Sequence, residues 1–278
     1  MTTNSRPISL NSFIYPPGYI LPKSIEDVSE YLKKVIYPDG FSCYTPSESE
    51  GETTLIYNEI IAKQEYFRYG LSVVGARCVF DVGANIGLFT LVVKMKVPDA
   101  SVYAFEPIPE TYHVLEENVR LQECTDVHLF NVAVGSQDRT EKVFSFFPHM
   151  PGNSTSVPDI KHAQKPAMDQ IFGKEASDYF SVSESRSAQV RTISSIIREC
   201  GITCIDYLKI DVEGDELSVL EGIEEIHWPF IRQVVVETHT ELLKEKAHEY
   251  IASRNYEIYT DAGLSSPMGV SNLFAQQR

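Results

Sequence analysis

The sequence predicts a doubly wound α/β fold: a seven-stranded, mostly parallel sheet with an antiparallel last strand, joined to an N-terminal helical cap. Three observations lead there. From residue 77 onward, short apolar runs alternate with amphipathic stretches, the pattern of βαβ units and a parallel sheet. A glycine loop, Asp81-Val82-Gly83-Ala84-Asn85-Ile86-Gly87, follows the first such run and opens a helix. That is where doubly wound folds bind nucleotide-like ligands. The last two apolar runs lie close together, so they pair antiparallel at the sheet edge.

The elements follow in order. Residues 1–23 are rich in Pro, Ser and aromatics and read as an irregular arm. Ser24 caps a helix with Glu26 and Asp27 in its first turn, running to about residue 36. Tyr37-Pro38-Asp39-Gly40 has the chemistry of a turn, and residues 39–52 are polar and loop-like. A second helix covers residues 54–69 and is stopped by Gly70. Residues 1–75 therefore form an arm and a helical cap, and residues 76–278 form the core. Core strands are expected at 78–80, 101–105, 127–134, 206–210, 233–238, 256–259 and 271–275. Helices are expected at 86–95, 108–121, 192–200, 215–223 and 241–254. Residues 137–189 interrupt the alternation without strong periodicity. An interruption of that length is uncommon inside a compact domain and usually serves function; we read it as an excursion over the active site.

Bulk properties narrow the class. A length of 278 residues suits one large domain or a core with an appendage. Such a chain buries roughly three quarters of its unfolded surface, so it needs no metal or disulfide to hold it. The five cysteines are odd in number and irregularly spaced; they read as reduced thiols in a cytoplasmic protein. The first residues lack the apolar stretch of a signal peptide, and no apolar run of ~20 residues is present to span a membrane. The net charge of −15 comes without a Lys/Arg run. It argues against a nucleic-acid partner, whose phosphates must be neutralised by basic side chains. No signal for an oligomeric state is present.

The glycine loop separates two kinds of cofactor. The dinucleotide fingerprint is G-x-G-x-x-G, shaped to seat a pyrophosphate on the helix N-terminus. Here Asn85 takes the second position, and Asp81 stands two residues before Gly83. An anionic side chain beside the loop suits a cationic, phosphate-free cofactor such as S-adenosylmethionine. Gly83 lets the backbone approach a ligand, and Gly87 lets helix and strand pack closely. Glu106 ends the second strand, where a carboxylate can accept both ribose hydroxyls.

The sequence resembles the FkbM family of S-adenosylmethionine-dependent methyltransferases. The resemblance rests on FDVGANIG at 80–87, AFEP at 104–107, NVAVG at 131–135, PGNS at 151–154, YLKIDVEGDELSVLEG at 207–222 and VVVETH at 234–239. It implies a Rossmann-like class I methyltransferase fold. It also implies roles: Asp81, Gly83 and Gly87 for the methionine moiety, Glu106 for the ribose, and Asn131, Ala133 and Val134 along the adenine. Asp211 is implied beside the methyl group, and Ser154 of the PGNS turn closes over the cofactor. The segment from Tyr57 through Leu71 resembles the helix before the core in FkbM-type O-methyltransferases of polyketide and nonribosomal peptide pathways, so the acceptor is expected to be a small molecule, free or carrier-bound.

Methyl transfer is an in-line displacement in which the cofactor carries the hard chemistry. A hydroxyl acceptor gains from a general base, commonly histidine. His239, just past the fifth expected core strand, is the first candidate, with Glu237 and Glu213 to orient it and Asp211 close by. His149, in the interruption, is the second candidate and a substrate contact, with Tyr57 and Tyr66. Asp211 and Glu237 could also hold Mg²⁺ or Ca²⁺, although no metal is expected. Lys209, inside a buried strand, must find a partner. Rival readings are N- or carboxyl-methyl transfer, a nicotinamide-dependent oxidoreductase and a non-catalytic binding protein.

Overall fold

The structure is a computed structural model that describes Tyr15, residues 17–261 and residues 268–278. Most of the expected arm, residues 1–14 and 16, lies outside the described residues.

The helix expected over residues 24–36 is a hairpin. Strands β1 (Ser24–Asp27) and β2 (Leu32–Ile36) pair antiparallel, and β3 (Ser42–Pro46) adds to β2. The spacing of Ile25, Val28, Leu32 and Val35 fits a helix, but tertiary pairing decides. Val35 and Cys43 face each other across β2 and β3, and both are fully buried. A β-branched run that finds a partner strand overrides a short helical pattern. Strand β3 falls in a stretch expected to be loop. The Asn118 amide fixes it, accepting from the Tyr44 N–H at 2.6 Å and donating to the Tyr44 carbonyl at 3.0 Å. Helix α1 (Glu50–Tyr57) follows, then a π turn over Asn58–Ala62 and a 3-10 turn over Glu65–Phe67. The cap is thus a small sheet with broken helix rather than helical. Its Val35, Tyr37 and Tyr57 pack in one cluster with Phe89 and Leu91 of the core.

The core opens with β4 (Cys78–Val82), α2 (Leu88–Lys96), β5 (Ser101–Phe105), α3 (Pro109–Leu121) and β6 (Val127–Phe130). The strand expected to run to residue 134 breaks at Asn131, and β7 (Ala133–Val134) joins a second sheet. Residues 137–189 are folded: β8 (Arg139–Phe146), α4 (Pro158–Phe172), α5 (Lys174–Phe180) and β9 (Glu184–Arg191). Strands β7, β9 and β8 form the second sheet. Phe147, Met150, Met168, Ala176 and Phe180 make a small core of their own. Pro166 inside α4 and the Ser, Asp and Lys content hid these helices from a periodicity reading.

Helix α6 (Ile193–Cys200), β10 (Tyr207–Ile210), α7 (Glu216–Glu221), β11 (Gln233–Thr238), α8 (Glu241–Ala252), β12 (Tyr256–Thr260) and β13 (Ser271–Gln277) complete the chain. The main sheet has seven strands in the order β12-β13-β11-β10-β4-β5-β6. Strand β13 is antiparallel to both neighbours, and every other pair is parallel. Strands β4 and β10 are buried along their length, as a sheet covered on both faces requires. Strand order reverses between β4 and β10, so their carboxyl ends open a crevice at the topological switch point.

Candidate active site

The glycine loop leaves β4 at that switch point. Gly83 has φ +79°, and a Cβ there would sit 1.7 Å from the Asp211 carbonyl oxygen. Only glycine lets the loop cross the tip of β10. Asn85 takes φ 50°, a left-handed conformation that asparagine tolerates, so the loop does without a middle glycine. The Asn85 N–H donates to Glu106 Oε2 at 2.9 Å, and the Ile108 N–H donates to Oε1 at 2.9 Å. Glu106, buried just past β5, is thus fixed beneath the loop with spare lone pairs on both oxygens. Burial pushes its carboxyl up to about 7, against the pull of the two backbone donors.

Above the loop lies a cleft of 650 Å³. Gly83, Asn85, Glu106, Ala133, Val134 and Ser154 line it, together with Tyr66, Asp211, Glu213 and Glu237. The PGNS turn seats directly on the loop. Gly152 donates its N–H to Glu52 at 2.9 Å, and a Cβ on it would lie 3.1 Å from Asn85 Nδ2.

Three of the residues assigned to the cofactor do not reach the cleft. Asp81 is fully buried; it accepts from Thr90 Oγ1 at 2.7 Å and lies 3.3 Å from the Lys209 ammonium. Its charge is therefore compensated inside the fold, and the electrostatic argument from Asp81 to a cationic ligand does not hold. Gly87 packs on α3, where a Cβ would meet Leu115 at 2.5 Å. Asn131 is exposed, and its amide donates to the carbonyls of Glu106 and Pro107, so it holds the segment behind Glu106. These three are supports for the loop.

The centre of the cleft is a cluster of carboxyls and compensating cations. The Tyr66 hydroxyl lies 3.0 Å from both Asp211 Oδ2 and Glu237 Oε2. One hydroxyl hydrogen cannot serve two carboxylates. The triad closes when one carboxyl is protonated and donates to the Tyr66 oxygen while Tyr66 donates to the other. Burial and the Asp211 charge push the Glu237 carboxyl well above the usual range, which makes Glu237 the member that holds the proton. Lys209, buried to 3% exposure, donates to the Gly83 carbonyl at 2.6 Å and lies 3.6 Å from Asp211. The partners that this buried lysine needed are therefore the loop carbonyl and the carboxylates of Asp81 and Asp211.

His239 is not free to accept a proton. Its Nε2 lies 2.9 Å from Glu213 and its Nδ1 2.9 Å from Glu216. Burial alone would lower its pKa, but the two carboxylates outweigh it and hold the imidazole well above an ordinary histidine. Two acceptors on one ring require both nitrogens to donate, so this is an imidazolium. Replacing it with asparagine leaves two buried carboxylates short of a cation, a change that typically costs about 3–5 kcal/mol. His239→Asn is expected to lower unfolding free energy by that amount in urea titration. The wild-type contribution is full below the unfolded histidine value of about 6.5. It fades as pH rises through the raised folded value, and the variant should lose that alkaline decline.

Two other expectations fail on position. Tyr57 is buried, stacks on Tyr37 at 3.5 Å and donates to Asp39 at 2.7 Å, away from the cleft. His149 stacks on Tyr179 and pairs with Glu48 at 3.1 Å, also away from it. Conversely, Glu52, Lys161, Gln164 and Asn272 line the cleft and were not singled out from sequence. Glu52 and Lys161 fall in stretches read as loop and interruption. Lys161 ion-pairs with Glu213 and donates to Asn153 at 3.1 Å, which ties α4 to the tip of β10.

A doubly wound sheet with a glycine loop, a carboxylate fixed beneath it and an acid pair at the switch point defines a methyltransferase of the class I type. A family model described as the methyltransferase FkbM domain matches residues 81–258. The chain belongs to that family and is an S-adenosylmethionine-dependent methyltransferase. It is similar to methyltransferase sdnD of Sordaria araneosa, 33% identical over 256 residues, 88% of this chain and 97% of the relative. Methyltransferase 1 of Beauveria bassiana is 31% identical over 207 residues, 74% and 81% of the two chains. The 31-O-demethyl-FK506 methyltransferase FkbM of Streptomyces tacrolimicus is 34% identical over 229 residues, 76% and 84% of the two chains.

Proposed function

We propose that this enzyme methylates a hydroxyl of a small molecule, free or carrier-bound, and that Asp211 rather than His239 accepts the hydroxyl proton. One observation carries the proposal: the Asp211–Tyr66–Glu237 acid pair stands in the same cleft as the glycine loop. Bound S-adenosylmethionine supplies an electrophilic methyl group. The residues fit that cofactor, because the missing Cβ of Gly83 leaves room beside β10 and Glu106 keeps lone pairs for ribose hydroxyls. Gly83, Asn85 and Ser154 are read as holding the methionine end, Glu106 the ribose, and Ala133 and Val134 the adenine.

The acid pair works as a unit. Glu237 holds one proton and Tyr66 passes a hydrogen bond to Asp211, so one negative charge remains for the acceptor proton. The Lys209 ammonium lies 3.6 Å from Asp211 and places a cation beside it. Lys161 and the His239 imidazolium compensate Glu213, so the cleft centre is not flooded with negative charge. An oxygen acceptor fits this arrangement because a hydroxyl must lose a proton as its bond to carbon forms. The FkbM relative, named for a 31-O-demethyl substrate, supports oxygen as the receiving atom.

A second reading has its own observation. Among the described residues, ligand atoms of Asp211, Glu237 and His239 lie within 4.8 Å of one another, a set that could converge on a divalent ion. Lys209 beside Asp211 and the doubly engaged imidazole weigh against it, since side-chain cations already balance the carboxylates. Chelation separates the two. Melting should rise with S-adenosylhomocysteine, and methyl transfer from labelled S-adenosylmethionine should be unchanged after chelator treatment. Loss of transfer in chelator with recovery on added Mg²⁺ would establish the metal reading. The absence of any shift with S-adenosylhomocysteine would refute the cofactor assignment.

A further inference from the structure

The cleft has one wall that the core does not supply. Where the chain enters α1, the cap touches the segment between β8 and α4 at three points. Glu48 pairs with His149 at 3.1 Å, the Ser49 hydroxyl donates to the Pro148 carbonyl at 3.3 Å, and Glu52 Oε1 accepts the Gly152 N–H at 2.9 Å. Of these three cap residues only Glu52 lines the cleft. It is 7% exposed, and among the described residues it has no ion pair and no other hydrogen bond. Burial pushes its carboxyl up to about 8, so near neutral pH it serves as an uncharged acceptor.

The contact is tight and sits on the glycine loop. A Cβ on Gly152 would lie 2.8 Å from Glu52 Oε1 and 3.1 Å from Asn85 Nδ2, so the cap acid, the PGNS turn and the loop tip meet at one point. From α4, Lys161 donates to the next residue of the turn, Asn153, at 3.1 Å, and Ser154 follows on the cleft wall. An acid in the first turn of a helix is favoured by the helix dipole alone. Glu50 already fills that place in α1, and it ion-pairs with Lys33. Glu52 differs, because burying a carboxyl without a cation is costly and a helix start does not require it. What that burial secures is the Gly152 N–H.

Resting on the reading that Asn85 and Ser154 hold the methionine end of the cofactor, we infer that Glu52 is a positioning residue: acting from the cap through the Gly152 N–H, it seats the PGNS turn against the glycine loop, and the methionine subsite is complete only with the cap in place. The role needs an acceptor oxygen and no charge. Glutamine supplies that oxygen and alanine does not. The ribose and adenine are read as lying on Glu106, Ala133 and Val134, none of which touches Glu52. A ligand without the methionine tail should therefore be indifferent to this residue.

The test compares two ligands by calorimetry: S-adenosylhomocysteine, and 5′-methylthioadenosine, which keeps the nucleoside and lacks the amino-acid tail. Glu52→Ala is expected to weaken S-adenosylhomocysteine about tenfold, the effect of leaving one buried N–H without its partner, and to leave 5′-methylthioadenosine unchanged. Glu52→Gln should bind both ligands as the wild type does. Gly152→Ala strains the same contact from the other side, and it should weaken S-adenosylhomocysteine several-fold with 5′-methylthioadenosine again unchanged. Because it belongs to a different segment, it keeps the test open if Glu52→Ala fails to fold. The inference is overturned by unchanged S-adenosylhomocysteine affinity in folded Glu52→Ala or Gly152→Ala, by equal loss of both ligands, or by Glu52→Gln binding as poorly as Glu52→Ala. A wild-type protein that binds neither ligand would instead overturn the cofactor assignment on which the inference rests.

Discussion

Asp211→Asn is expected to lower kcat by about 10²–10⁴-fold, the usual contribution of a positioned general base, with little change in affinity for S-adenosylhomocysteine. The substitution keeps shape and removes the one charge that the acid pair retains. Asparagine still accepts a hydrogen bond from Tyr66 through its oxygen, so the bridge to Glu237 survives. The Lys209 ammonium loses one carboxylate but keeps Asp81 at 3.3 Å and the Gly83 carbonyl, and the glycine loop therefore stays in place. A kcat effect with intact cofactor binding is what loss of a proton acceptor predicts. Glu237→Gln should act in the same direction more weakly, because Glu237 is the protonated member and its amide can still donate to Tyr66. Single-turnover rates for the two variants, set beside their S-adenosylhomocysteine affinities, check the order. Equal kcat in Asp211→Asn and wild type would return the role of base to another group. His239→Asn should then be the variant that abolishes turnover, against its expected effect mainly on stability.

The contrast between Asp211 and His239 shows what sequence carried and what it did not. The doubly wound core was readable because its strands are short apolar runs that packing cannot reassign: β5 and β11 fall at the expected residues. The glycine loop was readable because Gly83 answers a steric demand, a strand tip 1.7 Å from any Cβ, which leaves a mark in the residue type. Charge state leaves no such mark. His239 looks like a base in sequence, and only the two carboxylates around its ring, one of them Glu216 on α7, make it an imidazolium. Asp81 looks like an electrostatic attractor until Lys209, far along the chain, is placed 3.3 Å away. The small N-terminal sheet was hidden for a related reason. Its apolar spacing satisfies a helix locally, and the pairing of β2 with β3 is a long-range fact. Gln164 lay in a stretch whose composition gave no period to read.

Removal of the Glu106 carboxylate should have the largest effect on cofactor binding. Two hydrogen bonds from ribose hydroxyls to a carboxylate contribute about 3–5 kcal/mol together, so Glu106→Ala is expected to weaken S-adenosylhomocysteine by roughly 10²–10⁴-fold. Glu106→Gln should do almost as badly, which distinguishes this residue from an ordinary surface acid. Both oxygens of Glu106 already accept backbone N–H groups, from Asn85 and from Ile108. A glutamine presents one oxygen and one NH₂, so whichever way it turns, a donor meets a donor and the loop is pushed from its seat. Titration should show the same dependence on charge. Burial raises this carboxyl to about 7, and ribose hydroxyls favour its ionised form. Cofactor affinity in the wild-type protein is therefore expected to weaken as pH falls below 7 and to level off above it. Calorimetry of S-adenosylhomocysteine between pH 5.5 and 8.5, roughly the span over which a group of that pKa changes charge, should show the slope in wild type. Glu106→Ala should bind weakly with no such slope, because the group that titrates against the ribose is gone.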